Sequence, residues 1–257
     1  MSAPIDTIER MFDHEMVSPA TMLSPREEEV SALRERIRSM QATKLDTRLL
    51  PTHPAIADLL PGGGLQQGAA YSVERSAMLL MTLLSAPSAA GTWCGVVGVP
   101  EFGVEAAQRF GVDLDRLVLV PRPGDQWLAV TAAIADIMGV VVTRPPQRAS
   151  DGAVARLAAR LRQRGTTLLV LGAWPQTEAM LSLADSRWHG IGDGHGHLAA
   201  REVTVTVTHR LAGRPRTARL WLPDQGEQVR RAATAEESRR RASPIADPVR
   251  VLRSEAV

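Results

Sequence analysis

The fold is decided by residues 139–173, GVVVTRPPQRASDGAVARLAARLRQRGTTLLVLGA. Two continuous apolar runs, at 139–143 and 166–173, predict strands that are buried on both faces. The residues between them predict a helix at 151–164 that places Arg156, Arg160 and Arg164 on one face, which is typical of a solvated helix surface. The order strand, helix, strand predicts a parallel pair of strands joined by a right-handed crossover.

The same alternation continues towards the N-terminus. Apolar runs at 69–73, 92–99 and 117–121 predict three more buried strands. Segments at 76–85, 101–111 and 126–136 predict the helices that separate them. The sequence therefore predicts an α/β fold with a mostly parallel sheet flanked by helices.

The pattern changes after Trp174. Residues 175–200 are rich in glycine and histidine and predict a long loop, with room for a short helix at 178–183. Strict alternation at 201–210 and 216–223 predicts an antiparallel hairpin at the sheet edge. We expect Val203, Val205 and Val207 on its buried face and Glu202 on its surface.

The N-terminal region, residues 1–48, is predicted to be an arm followed by an amphipathic helix. Ser24, Pro25 and Glu27 form a capping box with proline at the first helical position. Four apolar residues then recur at helical spacing: Val30, Leu33, Ile37 and Met40. This stripe fits packing on its own core, docking on a partner chain, or self-association.

The C-terminal region, residues 224–257, is low in apolar content and predicts a disordered tail. Arginine clusters and aliphatic anchors favour a partner-binding segment that becomes ordered on binding, and a featureless terminus is the alternative. The candidate partner-binding residues are Arg230, Arg231, Arg239, Arg240, Arg241, Ile245, Val251 and Leu252.

Composition excludes several classes of protein. Lys44 is the only lysine among 30 basic residues, and no glycine-rich turn precedes it, so the chain has no Walker A phosphate loop. Cys94 is the only cysteine, which excludes disulfides and zinc sites built from several cysteines. No apolar stretch is long enough to span a membrane, and we expect a cytoplasmic protein with no membrane partner. A net charge of +2 does not by itself indicate nucleic-acid binding.

A histidine cluster lies in the predicted loop. His189, His195, His197 and Asp193 could offer ligands to a divalent metal. A polar glycine-rich loop without metal is the favoured interpretation, because ordering those glycines is costly. We therefore expect neither a metal nor a cofactor.

The order of the elements, with GGGL at 62–65 before the first core strand, resembles the RecA-type ATPase core over residues 49–223. In that family the first core strand ends in the phosphate loop, whereas here Val73 continues through Glu74 and Arg75 into the next helix. The strand that would carry the Mg²⁺-binding aspartate ends in Thr143, and Glu101 lies near the position of the water-orienting carboxylate. The resemblance thus implies a RecA-like core without catalytic activity.

Among RecA relatives, the stretches LLPGGGLQQGAAYSVE (59–74) and FGVDLDRLVLVPRPGDQWLAV (110–130) resemble the ImuA-prime branch of the ImuA family. Membership would imply an accessory protein of DNA-damage-induced translesion synthesis, associated with the nucleoid after damage. Its expected partners would be an ImuB-like polymerase adaptor and, indirectly, an error-prone C-family DNA polymerase.

The alternative function is a single-stranded DNA binder or a modulator of recombinase filaments, with RecA or DNA as the partner. In the RecA pattern two loops contact DNA. Their counterparts here contain Arg144 and Arg148 in the first loop, and Arg187 and Trp188 in the second. Arginine would hold phosphate and tryptophan would stack on a base, although Trp188 could equally be a hydrophobic plug on the sheet.

Overall fold

The computed structural model describes residues 48–74, 76–192, 195–210 and 214–232, all of which belong to the compact unit Thr47–Val257. The predicted N-terminal stripe (Val30, Leu33, Ile37, Met40) lies outside the described residues. So do six of the eight candidate residues in the tail: Arg239, Arg240, Arg241, Ile245, Val251 and Leu252.

Eleven strands and five α-helices follow one another in the described residues. The strands are β1 (Leu49–Leu50), β2 (Leu65–Gln66), β3 (Ala70–Val73), β4 (Cys94–Val97), β5 (Leu117–Val120), β6 (Val140–Thr143), β7 (Thr167–Leu171), β8 (Ala179–Gly192), β9 (His195–His209), β10 (Arg216–Trp221) and β11 (Arg230–Arg231). The helices are α1 (Pro54–Ala57), α2 (Ala77–Ala89), α3 (Val104–Arg109), α4 (Trp127–Ala135) and α5 (Asp151–Arg164).

Nine of these strands form one sheet in the order β11-β10-β9-β8-β3-β7-β6-β4-β5. Strands β3 to β7 are parallel to their neighbours within this group, and β8 is parallel to β3. Strands β8 to β11 are joined in antiparallel pairs. The predicted α/β architecture, a mostly parallel sheet flanked by helices and followed by an antiparallel hairpin, is confirmed.

The parallel half of the sheet is buried on both faces. In β6, Val140 and Val142 belong to one core cluster, whereas Val141 belongs to the other. Because successive side chains of a strand point to opposite faces, the two clusters lie on opposite sides of the sheet. Helices α2 and α3 contribute to the first cluster, and α4 and α5 contribute to the second. This explains why the core strands are continuous apolar runs.

Helix boundaries agree with the prediction at α5 and differ elsewhere. Helix α2 begins after the capping residue Ser76 and extends to Ala89, with Pro87 in its last turn. Helix α5 is capped by Ser150 and ends at Gly165, which has the left-handed conformation common after helix C-termini.

The prediction of a loop with a short helix at 175–200 is wrong. Ala179–Gly192 is a strand that pairs with β9 along almost its whole length. Ala179 and Leu181 are buried, whereas Met180 between them is exposed, but the sequence AMLSLA does not show this alternation, and glycines and histidines follow it. The hairpin also does not form the edge of the sheet, since β10 is paired with both β9 and β11. Val203, Val205 and Val207 are buried as predicted.

The core extends beyond the predicted boundary at 223. Residues 224–232 form a turn and the edge strand β11, which pairs with β10 through Leu220↔Arg231 and Trp221↔Arg230. Asp224 stabilises the turn by accepting hydrogen bonds from the backbone N–H groups of Gly226 and Gln228. A polar sequence thus forms a strand here because β10 offers an unpaired edge.

Gly95 tests the packing of the sheet against α4. A Cβ atom at this position in β4 would lie 2.5 Å from Ile134 Cγ2 and 3.5 Å from Met138 Cγ. We expect Gly95→Ala to lower the free energy of unfolding by about 1–3 kcal/mol, measured by chemical denaturation. The matched control is Gly152→Ala in α5, where the nearest atom is 3.5 Å away. The control should raise stability by up to about 1 kcal/mol, and equal effects at the two sites would contradict this packing.

Candidate functional site at the carboxyl ends of the parallel strands

The turn between β3 and α2 occupies the place where a RecA-type core has its phosphate loop. Only residues 74–76 connect the two elements. Glu74 accepts a hydrogen bond from the backbone N–H of Leu183 at 2.6 Å. Ser76 Oγ accepts a hydrogen bond from the backbone N–H of Leu79 at 3.3 Å. Ser76 therefore takes a backbone N–H at the start of α2 that a bound phosphate could use, and Glu74 adds a carboxylate to the same turn.

The last residue of β6 is uncharged. Thr143 is fully buried, and its hydroxyl lies 3.2 Å from the hydroxyl of Thr131 in α4. Thr131 donates to the carbonyl oxygen of Trp127 at 2.7 Å. The two hydroxyl groups thus have hydrogen-bond partners inside the protein. They are neutral and therefore poor ligands for Mg²⁺, which prefers carboxylate oxygens.

Arg144, the residue after β6, is held by Glu101. Both guanidinium Nη atoms bond the two carboxylate oxygens of Glu101, and the Nη2–Oε2 distance is 3.0 Å. This bidentate hydrogen bonding lowers the pKa of the Glu101 carboxyl below its ordinary value. Glu101 lies near the position of the water-orienting carboxylate in the RecA pattern. In this structure its carboxylate binds Arg144.

A cavity of about 770 Å³ lies where β6 and β7 end. Its walls are formed by residues 144–149 after β6 and by residues 171–175 at the end of β7. Arg144 and Arg148, both predicted from the sequence, lie on this cavity together. Trp174, which the sequence did not single out, forms part of its wall; its ring packs edge-on against Trp127 with centroids 6.3 Å apart.

A second cavity of about 420 Å³ adjoins the first, and Arg144 and Pro146 line both. Its other lining residues follow β4 and β5 and include Gly98 and Asp125. Gly98 has a φ of +74°, and a Cβ atom there would lie 3.1 Å from the carbonyl oxygen of Arg144. Glycine therefore permits the close approach of the segments that follow β4 and β6.

Arg187 and Trp188 lie on β8 and are not among the residues that line either cavity. The expectation that they belong to a DNA-contacting loop is wrong in its geometry, because β8 and β9 form a paired ribbon there. Trp188 is 40% exposed, and the guanidinium of Arg201 lies 5.5 Å from its ring centroid. Arg201 also donates to Ser186 Oγ at 2.9 Å, which fixes it over the ring.

His189 is the one member of the histidine cluster whose side chain is described. Its ring lies 5.0 Å from that of Trp221, and its Nε2 atom lies 3.9 Å from Glu202 Oε2. Glu202, predicted to be a plain surface residue, also lies 3.7 Å from Arg219 Nη1. Within the described residues, no group of three or more metal-ligating side chains occurs. Asp193 and the side chains of His195 and His197 lie outside them.

Two arginines predicted to bind a partner have contacts within the chain instead. Arg230 donates to Asp224 at 2.6 Å, and its guanidinium lies 5.5 Å from the Trp221 ring centroid. Arg231 bonds the carbonyl oxygen of Ala55 at 3.2 Å and approaches Asp58 at 3.3 Å. These contacts attach β11 to the core.

The arginine stripe of α5 has an acidic neighbour. Arg160 bonds both carboxylate oxygens of Asp136, and Arg164 approaches the same group at 3.2 Å. Hydrogen bonding from Arg160 lowers the pKa of the Asp136 carboxyl. The stripe therefore serves partly to join α5 to the end of α4.

Replacing Arg144 tests its link to Glu101. We expect Arg144→Met to raise the pKa of the Glu101 carboxyl towards its ordinary value, because both the hydrogen bonds and the neighbouring positive charge are removed. A carbon-detected NMR titration of the side-chain carboxyl measures this shift. Arg148→Met, which removes the other arginine of the cavity, serves as the control and should leave this pKa unchanged. An unshifted pKa in Arg144→Met would contradict the pairing.

Comparison with known proteins places the chain among relatives of unknown activity. Residues 58–176 match the family described as the MT3502 N-terminal domain. The KaiC-like protein PH0186 of Pyrococcus horikoshii OT3 has a TM-score of 0.49 and 13% identity, covering 73% of this chain and 100% of that one. The uncharacterized protein Rv3395c of Mycobacterium tuberculosis is 34% identical over 161 residues, which are 62% of this chain and 71% of that protein. On that identity and coverage, the chain belongs to the Rv3395c family.

Proposed function

We propose that the chain is a non-catalytic, RecA-like accessory protein of DNA-damage-induced translesion synthesis. It acts as a scaffold that binds an ImuB-like polymerase adaptor and, through it, an error-prone C-family DNA polymerase. The observation that carries the non-catalytic part of the proposal is the short turn from β3 to α2, where Ser76 caps the N-terminus of α2 in the place of a phosphate loop. A fold that has the sheet of a nucleotide-binding protein but no phosphate site is suited to binding other proteins through its surface.

The assignment to translesion synthesis is supported by the resemblance of residues 59–74 and 110–130 to the ImuA-prime branch. The second stretch contains β5, the start of α4 and the segment between them, and four residues of that segment line the smaller cavity. No helix in the described part of the chain is long and apolar enough to cross a bilayer. The relative Rv3395c is uncharacterized, so the test is made on the adaptor itself.

The non-catalytic part predicts that the protein does not bind Mg-ATP. The β3–α2 turn leaves no cradle for the β- and γ-phosphates, and Thr143 offers no carboxylate to the metal. Isothermal titration calorimetry of the full chain with Mg-ATP and with Mg-ADP should give no saturable heat. Saturable binding at micromolar affinity, or hydrolysis stimulated by DNA, would overturn this part of the proposal.

The scaffold part predicts a stable complex with the ImuB-like adaptor encoded in the same genome. Size-exclusion chromatography of the two purified proteins, with light scattering, should show co-elution. We expect a chain truncated after Ala232 to lose the adaptor and keep its melting temperature, because Arg230 and Arg231 retain their core contacts. Failure of the full chain to bind would overturn the proposed function.

If the truncated chain still binds the adaptor, the predicted N-terminal stripe becomes the candidate docking site. The double variant Leu33→Asp, Ile37→Asp places charge on that stripe and should then abolish the complex. Arg38→Asp introduces the same residue away from the stripe and is the matched control. Equal binding by all these variants would exclude both chain ends as the docking site.

A further inference from the structure

The two cavities at the carboxyl ends of the parallel strands form one crevice at a change of direction in the sheet. Helix α3, which follows β4, contributes to the first core cluster, whereas α5, which follows β6, contributes to the second. Neighbouring strands β4 and β6 therefore send the chain to opposite faces of the sheet. Such a divergence opens a crevice outside the strand ends, which is the usual ligand position in open α/β sheets. We call it the carboxyl-end crevice.

The carboxyl-end crevice is elongated. Its lining residues follow β5, β4, β6 and β7, which are consecutive neighbours in the sheet. At about 4.8 Å between strands, the crevice extends over about 14 Å, the length of about four extended residues at about 3.3 Å each. This shape suits a length of extended chain better than a compact small molecule.

Prolines contribute much of the apolar surface of the crevice. Five of the chain's 17 prolines line the crevice: Pro121, Pro123, Pro145, Pro146 and Pro175. Proline fixes its own backbone dihedral φ and has no N–H group, so these five residues present apolar surface without a backbone hydrogen-bond donor. Walls that are already ordered lose little conformational entropy on binding.

Charge in the crevice is asymmetric. Among the described residues, the lining of the larger cavity includes two arginines and no carboxylate, whereas Asp125 lines the smaller cavity. Arg144 is held by Glu101, but Arg148 is exposed and has no ion pair with another described residue. Arg148 is therefore the group available to bind an anion from outside.

We propose that the carboxyl-end crevice binds an extended peptide segment of a protein partner, in which an acidic residue lies next to apolar residues. The acidic side chain pairs with Arg148, and the apolar side chains pack on the prolines. Single-stranded nucleic acid fits less well, because it is bound by exposed aromatic faces, and Trp174 is 9% exposed with its ring against Trp127. The proposal rests on the proposed scaffold function, for which it supplies a docking site in the core.

The test uses the full chain and a phage display library of random peptides. Selected peptides are resynthesised with a fluorescent label, and their affinity is measured by anisotropy. We expect selection of peptides with an Asp or Glu beside apolar residues. Arg148→Gln, which removes the anion-binding charge, and Ala173→Phe, which fills the larger cavity from an exposed position, should each weaken binding about tenfold or more.

Two matched controls lie outside the crevice. Arg156→Gln removes an arginine from α5, and Ala90→Phe adds a ring at the exposed residue that ends α2. Both should leave peptide affinity within about twofold of the parent chain, the spread expected for substitutions that touch no binding group. The proposal is overturned if no acidic–apolar peptides are enriched. It is also overturned if the crevice variants bind the selected peptides as well as the parent chain does. Displacement of the selected peptides by oligothymidine would overturn it too.

Failure of this proposal is distinguishable from failure of the proposed function. If the adaptor complex forms but no peptide binding depends on the crevice, the peptide-binding proposal is refuted and the proposed function is not. Peptide binding that depends on Arg148, in a chain that does not bind the adaptor, would support the crevice and refute the ImuB-like partner.

Discussion

The position of β3 between β7 and β8 is the constraint on which the rest of the structure depends. Strand β3 is hydrogen-bonded in parallel to both neighbours, and all four of its residues are buried. Its side chains also fix the segments around it. Tyr71 accepts a hydrogen bond from the backbone N–H of Gln66 at 2.8 Å, and Ser72 accepts one from that of Trp174 at 3.1 Å. Burial raises the pKa of Tyr71 to about 12, so the hydroxyl stays neutral in this position.

This constraint determines what the carboxyl ends of the strands can do. Because β3 continues almost directly into α2, Glu74 comes close enough to β8 to bond the N–H of Leu183. This hydrogen bond continues the contact between β3 and β8 beyond the end of β3. The chemistry that remains at this edge is that of arginines, prolines and the edge of one tryptophan, which suits recognition of another chain rather than phosphoryl transfer.

Several arginines of this chain are paired with carboxylates. Arg144, Arg160 and Arg230 each bond a carboxylate, on Glu101, Asp136 and Asp224 respectively. Exposed pairs of this kind contribute little stability individually. Their effect is to orient loops and helix ends, since a guanidinium that holds a carboxylate with two hydrogen bonds fixes both side chains. Arg148, by contrast, has no ion pair with another described residue, which leaves its charge available in the carboxyl-end crevice.

The amino-acid sequence by itself determined the parallel half of the fold. Strands buried on both faces require continuous apolar runs, and the helices between them require capping residues such as Ser150, so both signals are local. The loss of the phosphate loop and the absence of a charge at Thr143 are likewise visible in the sequence.

Tertiary structure alone decided the antiparallel half and the site. Strand β8 exists because β3 and β9 offer it unpaired edges, although its glycines and histidines indicate a loop, and β11 exists because β10 does. Sequence reasoning found Arg144 and Arg148 but missed the prolines and Trp174, because these residues meet only where four strands end side by side. Local spacing determines which residues form a strand or helix, whereas strand order determines which of those residues share a cavity.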